Sequence, residues 1–127
     1  MTEFVLDASA VLTLLQNEPG AHQVATTLGR AVISAVNMCE VIGKLSEHGV
    51  PLPQIQEALE RLDLQVIDFN VDQAFIAGLL RVKTKKFGLS LGDRASLGLG
   101  QMRRATVVTA DRAWKNLSLG IAVRIVR

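Results

Sequence analysis

The chain has 127 residues, 49% of them hydrophobic, and a mean hydropathy of +0.29, which fits a domain with its own core and excludes a disordered protein. The net charge of +2 hides an asymmetry: residues 1–80 carry three basic and ten acidic side chains, whereas residues 81–127 carry eleven basic and two acidic ones. A basic half predicts a polyanionic partner, although ordinary surface charge explains the asymmetry slightly better when charge is taken alone.

Several classes of protein are disfavoured by the sequence. Its apolar runs are shorter than the roughly 20 residues of a membrane-spanning helix, and the start MTEFV lacks the basic and apolar segments of a signal peptide. Cys39 has no second cysteine with which to form an internal disulfide, and we interpret it as a small core residue. We therefore expect a cytoplasmic protein without a membrane segment.

Hydrophobic runs and helical periodicity alternate along the first half of the chain. An apolar run that ends before Asp7 predicts a buried strand. Met38 opens a stripe of apolar residues at i, i+3, i+4 and i+7, which predicts an amphipathic helix. The predicted elements, in chain order, are strand 3–6, helix 8–18, helix 21–28, strand 31–34, a helix around 38–45 and helix 53–62.

The second half continues the alternation and holds most of the basic residues. Its predicted elements are strand 64–69, a helix from 71 to about 85 with a basic end, a helix from 90 to about 104, strand 105–109 and strand 121–126. Strands that alternate with helices predict a parallel sheet covered on both faces. We therefore predict an α/β fold, a single domain over residues 1–127 with about five parallel strands sandwiched between helices.

Four carboxylates stand where such a sheet would bring them together. Asp7 and Asp111 follow predicted strands, at the edge where open α/β sheets bind ligands. Asp93 lies in the first turn of its helix, and Glu40 lies within the helix around 38–45. Converging acids repel one another, and a hard cation such as Mg²⁺ relieves that repulsion. The pattern predicts a metal site, with nearby basic residues to hold a phosphodiester backbone.

Each acid also has an ordinary structural explanation. Asp7 could cap the helix that follows it, and Asp93 stands close to a capping-box spacing. Asp111 could cap a short turn, and Glu40 could form a surface pair with Lys44 at i+4. Taken singly, each explanation is at least as good as a catalytic role.

Four segments carry a resemblance to a known family: FVLDASAVLTLL, ISAVNMCEV, LSLGDRASLGLG and VVTADRAW. They resemble the motif regions of PIN-domain ribonucleases, and more narrowly those of VapC-type toxins from bacterial type II toxin–antitoxin pairs. The blocks occur in the family's order, and the resemblance runs from Phe4 to the C-terminus. It implies Mg²⁺- or Mn²⁺-dependent endonucleolytic cleavage of RNA, neutralisation by a cognate antitoxin protein, and a homodimer.

The resemblance also implies roles for individual residues. The catalytic and metal-binding acids would be Asp7, Glu40, Asp93 and Asp111, with Asp7 and Asp93 as direct ligands and the other two acting partly through water. Ser9 and Asn37 would support the site, and the role of Asn116 is left open. We predict contacts with RNA phosphates for seven basic residues: Arg94, Arg112, Lys85, Lys86, Arg103, Arg104 and Lys115.

Other functions fit the motifs less well. A phosphatase of the haloacid dehalogenase type needs a second Asp where this chain has Ser9, and a response-regulator receiver needs paired acids there. Gly98-x-Gly100 lacks the third glycine of a dinucleotide site. His22 and His48 stay open as the acid–base pair of a metal-free ribonuclease. A non-catalytic PIN-like binding module and a housekeeping PIN nuclease also stay open.

Overall fold

Five parallel strands and six α-helices alternate in the computed structural model, which describes residues 2–127. The strands are β1 (Phe4–Leu6), β2 (Ala31–Ser34), β3 (Gln65–Ile67), β4 (Thr106–Thr109) and β5 (Val123–Ile125). The helices are α1 (Ala8–Leu15), α2 (Ala21–Ala25), α3 (Ala35–Glu47), α4 (Leu52–Leu62), α5 (Val71–Thr84) and α6 (Leu91–Arg103), with 3₁₀ turns at Leu28–Arg30, Lys85–Phe87 and Arg112–Asn116. The predicted α/β fold is confirmed. Among the described helices, none is long and apolar enough to cross a bilayer.

The strand order β3-β2-β1-β4-β5 places β1 at the centre of the sheet. Leu6 of β1 is in register with Ile33 of β2 on one side and with Val108 of β4 on the other. The chain moves outward from β1 to β3 and then crosses back to β4, so its direction along the sheet reverses between β1 and β4. Ligands of open α/β sheets bind beyond the carboxyl ends of the strands at such a reversal, which is where Asp7 lies.

Both faces of the sheet are buried. Successive side chains of a strand point to opposite faces, so Leu6 packs with Val11 of α1 and Val41 of α3, whereas Val5 packs with Leu80 of α5 and Leu97 of α6. This double burial explains why the central strands are continuously apolar rather than alternating.

Several predicted elements are longer than the observed ones, among them the helix predicted over 21–28, which ends at Ala25, and the strand predicted over 121–126, which covers Val123–Ile125; one residue assignment is wrong. The first helix ends at Leu15, because Asn17 adopts a left-handed conformation at φ 52° just before Pro19. β3 pairs on one side only and covers three residues. Cys39 is exposed rather than part of the core. It lies on α3 between the buried positions 37 and 41, about 200° around the helix from each.

Candidate active site

Asp7 is a buried carboxylate at the junction of β1 and α1. Its Oδ1 accepts hydrogen bonds from the Ala10 amide at 2.8 Å and from the Ser9 hydroxyl at 2.7 Å. The predicted N-cap is therefore confirmed, but a cap does not require burial, and only 3% of Asp7 is exposed. Burial raises the pKa of Asp7 to about 6, hydrogen bonds from Thr109, Ser9 and Ala10 lower it, and the charge of Asp93 adds to the increase.

Asn37 joins the backbones beside two of the acids. Its Oδ1 accepts a hydrogen bond from the Ala8 amide at 3.0 Å, and its Nδ2 donates to the Gly92 carbonyl at 3.1 Å. The side chain is 1% exposed, so water does not compete for these bonds. Asn37 therefore holds the residue after Asp7 against the residue before Asp93.

Asp93 and Glu40 approach each other across the contact between α6 and α3. The Ser90 amide donates to Asp93 Oδ2 at 2.9 Å and the Asp93 amide donates to Ser90 Oγ at 3.2 Å, which confirms the capping box. A Cβ atom at Gly92 would overlap the Glu40 carboxylate, so the absence of a side chain there admits Glu40.

The electrostatic surroundings of Glu40 differ from those of an ordinary surface acid. Desolvation and then the charge of Asp93 raise the pKa of Glu40, while Lys44 lowers it. The predicted Glu40–Lys44 pair is replaced by a contact of Lys44 with Glu47, whose Oε2 lies 3.9 Å from Nζ. Among the charges that act on the pKa of Glu40, the largest influence is thus that of another carboxylate rather than that of a base.

The backbone of Asp111, rather than its carboxylate, is joined to the site through hydroxyl groups. Its Oδ1 accepts from the Ala113 amide at 2.9 Å, which confirms the predicted cap, and its own amide donates to Thr109 Oγ1 at 3.1 Å. Thr109 Oγ1 lies 3.2 Å from Ser9 Oγ, so these two hydroxyls join the ends of β4 and β1. Thr109 is not among the predicted site residues, and the signal that could have identified it is its place as the last strand residue, two positions before Asp111.

The donor set suits a hard divalent cation chemically. Asp7, Asp93 and Glu40 offer carboxylate oxygens, and the charge of Asp93 raises the pKa of both other acids, a repulsion that a cation would relieve. Within residues 2–127, however, no three His, Cys, Asp or Glu side chains lie close enough to form a ligand group on their own. Water or substrate oxygens would therefore have to complete the coordination shell.

Three of the seven basic residues predicted to bind RNA make hydrogen bonds within the protein or lie at the edge of the sheet opposite the acids. Arg94 is half-buried, and its Nη1 donates to the Ala77 carbonyl of α5 at 3.1 Å. Arg103 binds Glu3 through two hydrogen bonds of 2.7 and 2.9 Å at the amino end of β1, on the edge of the sheet opposite the acids. Arg104 ends α6 in a left-handed conformation at that same edge.

The other predicted contacts lie on exposed segments. Lys85 and Lys86 are exposed on the 3₁₀ turn between α5 and α6, and Lys115 and Asn116 are exposed on the turn after Asp111. Arg112 donates from Nε to the carbonyl of Arg127 at 3.3 Å. RNA contacts at these basic residues stay predictions.

The two histidines considered as an acid–base pair are exposed on separate elements, His22 on α2 and His48 at the end of α3.

Solved structures with the same fold cover almost the whole chain. DNA-bound VapBC from Salmonella typhimurium matches with 21% identity and a TM-score of 0.76, over 98% of each chain. VapBC2 from Rickettsia felis, bound to a promoter DNA fragment, matches with 19% identity and a TM-score of 0.76, also over 98% of each chain. VapBC-5 of the VapBC toxin–antitoxin family from Mycobacterium tuberculosis has 18% identity and a TM-score of 0.64, over 100% of this chain and 99% of that one.

The sequence itself points to one family. None of the curated proteins compared with the chain matches it. The family model of the PIN domain matches residues 4–119, which include all four acids and both supporting polar residues. The chain therefore belongs to the PIN-domain family.

Proposed function

We propose that this protein is a metal-dependent endoribonuclease that hydrolyses RNA phosphodiester bonds. The observation that carries the proposal is the buried Asn37 bridge, which holds the backbone beside Asp7 against the backbone beside Asp93. Two carboxylates fixed in this way, with Glu40 beside them, form an electronegative centre at the reversal point of the sheet. Membership of the PIN-domain family supports the same assignment.

Asp7 and Asp93 would hold Mg²⁺, or Mn²⁺, directly, with Glu40 and Asp111 contributing partly through water. A bound divalent cation would supply an activated water nucleophile and stabilise the leaving oxygen. Ser9 and the Ala10 amide fix the orientation of the Asp7 carboxylate through two short hydrogen bonds. Thr109 and Ser9 hold the β4 end beside the β1 end, which sets the position of Asp111.

The RNA backbone would enter along the basic segments at this edge of the sheet. Lys85 and Lys86 precede α6, and Arg112 and Lys115 follow Asp111, so both groups flank the acids in the chain. Arg103 and Arg104 lie at the opposite edge of the sheet, and we do not include them among the residues that contact RNA. Arg94 would hold α6 against α5 through its hydrogen bond to the Ala77 carbonyl, rather than bind a phosphate.

We further propose that the protein is the toxin of a type II toxin–antitoxin pair and acts in the cytoplasm. Its fold matches proteins solved as VapBC complexes. A groove between the ends of α1 and α3 and the side of α4, of about 330 Å³, is lined by apolar residues that include Leu15, Leu45 and Ile55. An amphipathic segment of the antitoxin would bury its apolar face in this groove.

End-group analysis of cleaved RNA tests the proposed chemistry. Purified protein with total cellular RNA and Mg²⁺ should give 5′-phosphate and 3′-hydroxyl ends, and EDTA should stop the reaction. Asp93→Asn should be inactive, whereas Asp63→Asn, at an exposed left-handed position that Asn tolerates, should cleave normally. Cyclic phosphate ends formed in EDTA would instead assign the reaction to His22 and His48.

A separate observation tests the toxin assignment. Expression of the protein should arrest growth, and a short neighbouring gene should encode a product that restores it. Cleavage without toxicity, and without such a gene, would indicate a housekeeping PIN nuclease. Folded protein that binds RNA without cutting it would indicate a non-catalytic module.

A further inference from the structure

A cavity of about 350 Å³ opens beside the candidate active site and follows helix α1. Ser9 and Asp111, which belong to the candidate site, line one part of it, and Glu18 and Arg127 line another. Its remaining wall consists of Leu12, Thr13, Gln16 and Ala110. Because Ser9 is in the first turn of α1 and Glu18 lies beyond its end, the cavity extends at least one helical turn, about 5 Å, away from the acids. It can therefore hold a neighbouring group of the substrate rather than the scissile phosphate.

The backbone that carries Arg127 is fixed at the cavity by contacts on both sides. The Val126 amide donates to the Thr109 carbonyl at 2.9 Å, and Arg112 Nε donates to the Arg127 carbonyl at 3.3 Å. Gly20, at φ 102°, admits the Val126 carbonyl, since a Cβ atom at Gly20 would overlap it. The side chain of Arg127 thus extends from a fixed position in the cavity wall.

Arg127 and Glu18 form an ion pair in this wall. Arg127 Nη2 lies 3.2 Å from Glu18 Oε2 and 3.4 Å from the hydroxyl of the buried Thr13. The two charged side chains are 33% and 40% exposed, so a ligand can reach both. Both contacts of the guanidinium use Nη2, which leaves its Nε and Nη1 donors and the Glu18 Oε1 acceptor available. The wall therefore presents hydrogen-bond donors beside an acceptor.

This combination suits a nucleobase better than a phosphate. A phosphate contact requires an excess of positive charge, whereas the Glu18 carboxylate cancels the charge of Arg127 and repels an anion. The edge of a base carries donors and acceptors without a net charge, and bases of single-stranded RNA are read along that edge. Leu12 and Ala110 supply apolar wall for the flat face of a base. The volume lies within the range of small-ligand pockets, which begins at roughly 300 Å³.

We propose that this cavity binds a guanine base adjacent to the scissile phosphate. Guanine is the RNA base whose Watson–Crick edge has two adjacent donors, N1–H and the N2 amino group, beside the acceptor O6. Glu18 accepts hydrogen bonds from the two donors, and Arg127 donates to O6. The inference rests on the proposed RNA-cleaving function and adds to it a base preference set by residues outside the four acids.

Cleavage of short single-stranded RNAs, each with one guanosine in an otherwise guanine-free sequence, tests the preference. We expect cuts next to the guanosine, at a rate at least about tenfold above that of the same RNA with adenosine there, as one bidentate pair provides. Inosine, which lacks the N2 amino group, should give an intermediate rate. Equal rates with guanosine and adenosine overturn the proposal.

Glu18→Gln tests the residues, because an amide cannot accept both donors of guanine as a carboxylate does. The ratio of the guanosine rate to the adenosine rate should fall to near one. Glu57→Gln is the matched control, since Glu57 forms an ion pair with Arg61 on α4 and does not line the cavity, and it should keep the ratio. Circular dichroism melting verifies that both variants are folded. A ratio that survives Glu18→Gln, or that Glu57→Gln lowers equally, limits the Glu18–Arg127 pair to a structural role and overturns the proposal.

Binding to the Asp93→Asn variant in Mg²⁺ separates the base preference from catalysis. Fluorescence anisotropy with the same labelled RNAs should give a Kd at least about tenfold lower for guanosine than for adenosine. Equal Kd values, or no binding of either RNA, overturn the proposed guanine site. Guanine-selective binding together with no cleavage by the unaltered chain supports the guanine site and overturns only the nuclease function.

Discussion

The carboxylate of Glu40 on α3 fills the space in which a side chain at Gly92 on α6 would begin. Glycine at this position therefore leaves room for the Glu40 carboxylate against α6. Because Asp93 is the next residue, the same contact decides how strongly Glu40 and Asp93 interact, and the charge of Asp93 contributes to the raised pKa of Glu40.

Gly92→Ala should impair cleavage while the fold is kept. The added methyl group displaces the flexible end of Glu40, and a displacement of about 1 Å at a catalytic group costs roughly 100-fold in rate. Alanine also favours a helix over glycine by about 0.5–1 kcal/mol, so stability should not fall. Cleavage rates and urea unfolding measure the two effects. Gly43→Ala, in open space on α3, is the control and should keep full activity. Equal cleavage rates in both variants would show that Glu40 takes no part in catalysis.

The stability of the metal-free protein should decrease as pH rises from about 4 to above 6. The pKa of Asp7 is 3.8 in its ordinary state and about 6 in the fold. The folded state thus holds its proton more tightly, and that stabilisation is lost as pH increases through the folded pKa. The loss is about 3 kcal/mol, at 1.36 kcal/mol per pKa unit. Urea unfolding in EDTA across this pH range measures it.

Asp7→Asn should remove most of this pH dependence and make the metal-free protein more stable at pH 7. Asparagine still accepts the Ala10 hydrogen bond as an N-cap, so the start of α1 is preserved. Mg²⁺ should raise the melting temperature of the unaltered chain but not that of Asp7→Asn, and cleavage should be abolished. An unchanged pH profile would show that Asp7 is not the group that titrates.

Asn37→Ala should reduce both stability and turnover. It leaves the Ala8 amide and the Gly92 carbonyl without their buried partner, at a cost of about 2–4 kcal/mol. If Asn37 also positions the acids, kcat should fall at temperatures where the variant is fully folded, with KM little changed. Ser46→Ala, exposed on the same helix, is the control. Full kcat in folded Asn37→Ala would limit the residue to a structural role.

Charge reversal at Lys85 and Lys86 should weaken RNA binding and flatten its salt dependence. Each phosphate contact on a single strand contributes about 0.7 to the slope of log affinity against log salt. Arg103→Glu is the matched comparison, because Arg103 lies at the opposite edge of the sheet and is paired with Glu3. Its slope should equal that of the unaltered chain. If Arg103→Glu lowered the slope and charge reversal at Lys85 and Lys86 did not, the RNA-binding surface would instead lie at the edge that holds Arg103.

Local chemistry made part of the site predictable. The caps at Asp7, Asp93 and Asp111 depend on residues two or three positions away, and all three are formed as the spacing indicates. Apolar runs and helical periodicity likewise predicted the α/β alternation. The boundaries of α1 and β3 were less predictable, because a left-handed turn at Asn17 and one-sided strand pairing shortened them.

Contacts between distant segments were decided only by the tertiary structure. Thr109 joins Ser9 across 100 residues, Asn37 joins Ala8 and Gly92, and Arg103 pairs with Glu3 rather than standing free. The sequence by itself determined the residue types and their places at strand and helix ends, since periodicity and capping act over a few residues. Which ends meet depends on the order β3-β2-β1-β4-β5, and which helix face stays open depends on how α5 packs on α6. Those relations arise from burial of the whole core, which no local pattern encodes.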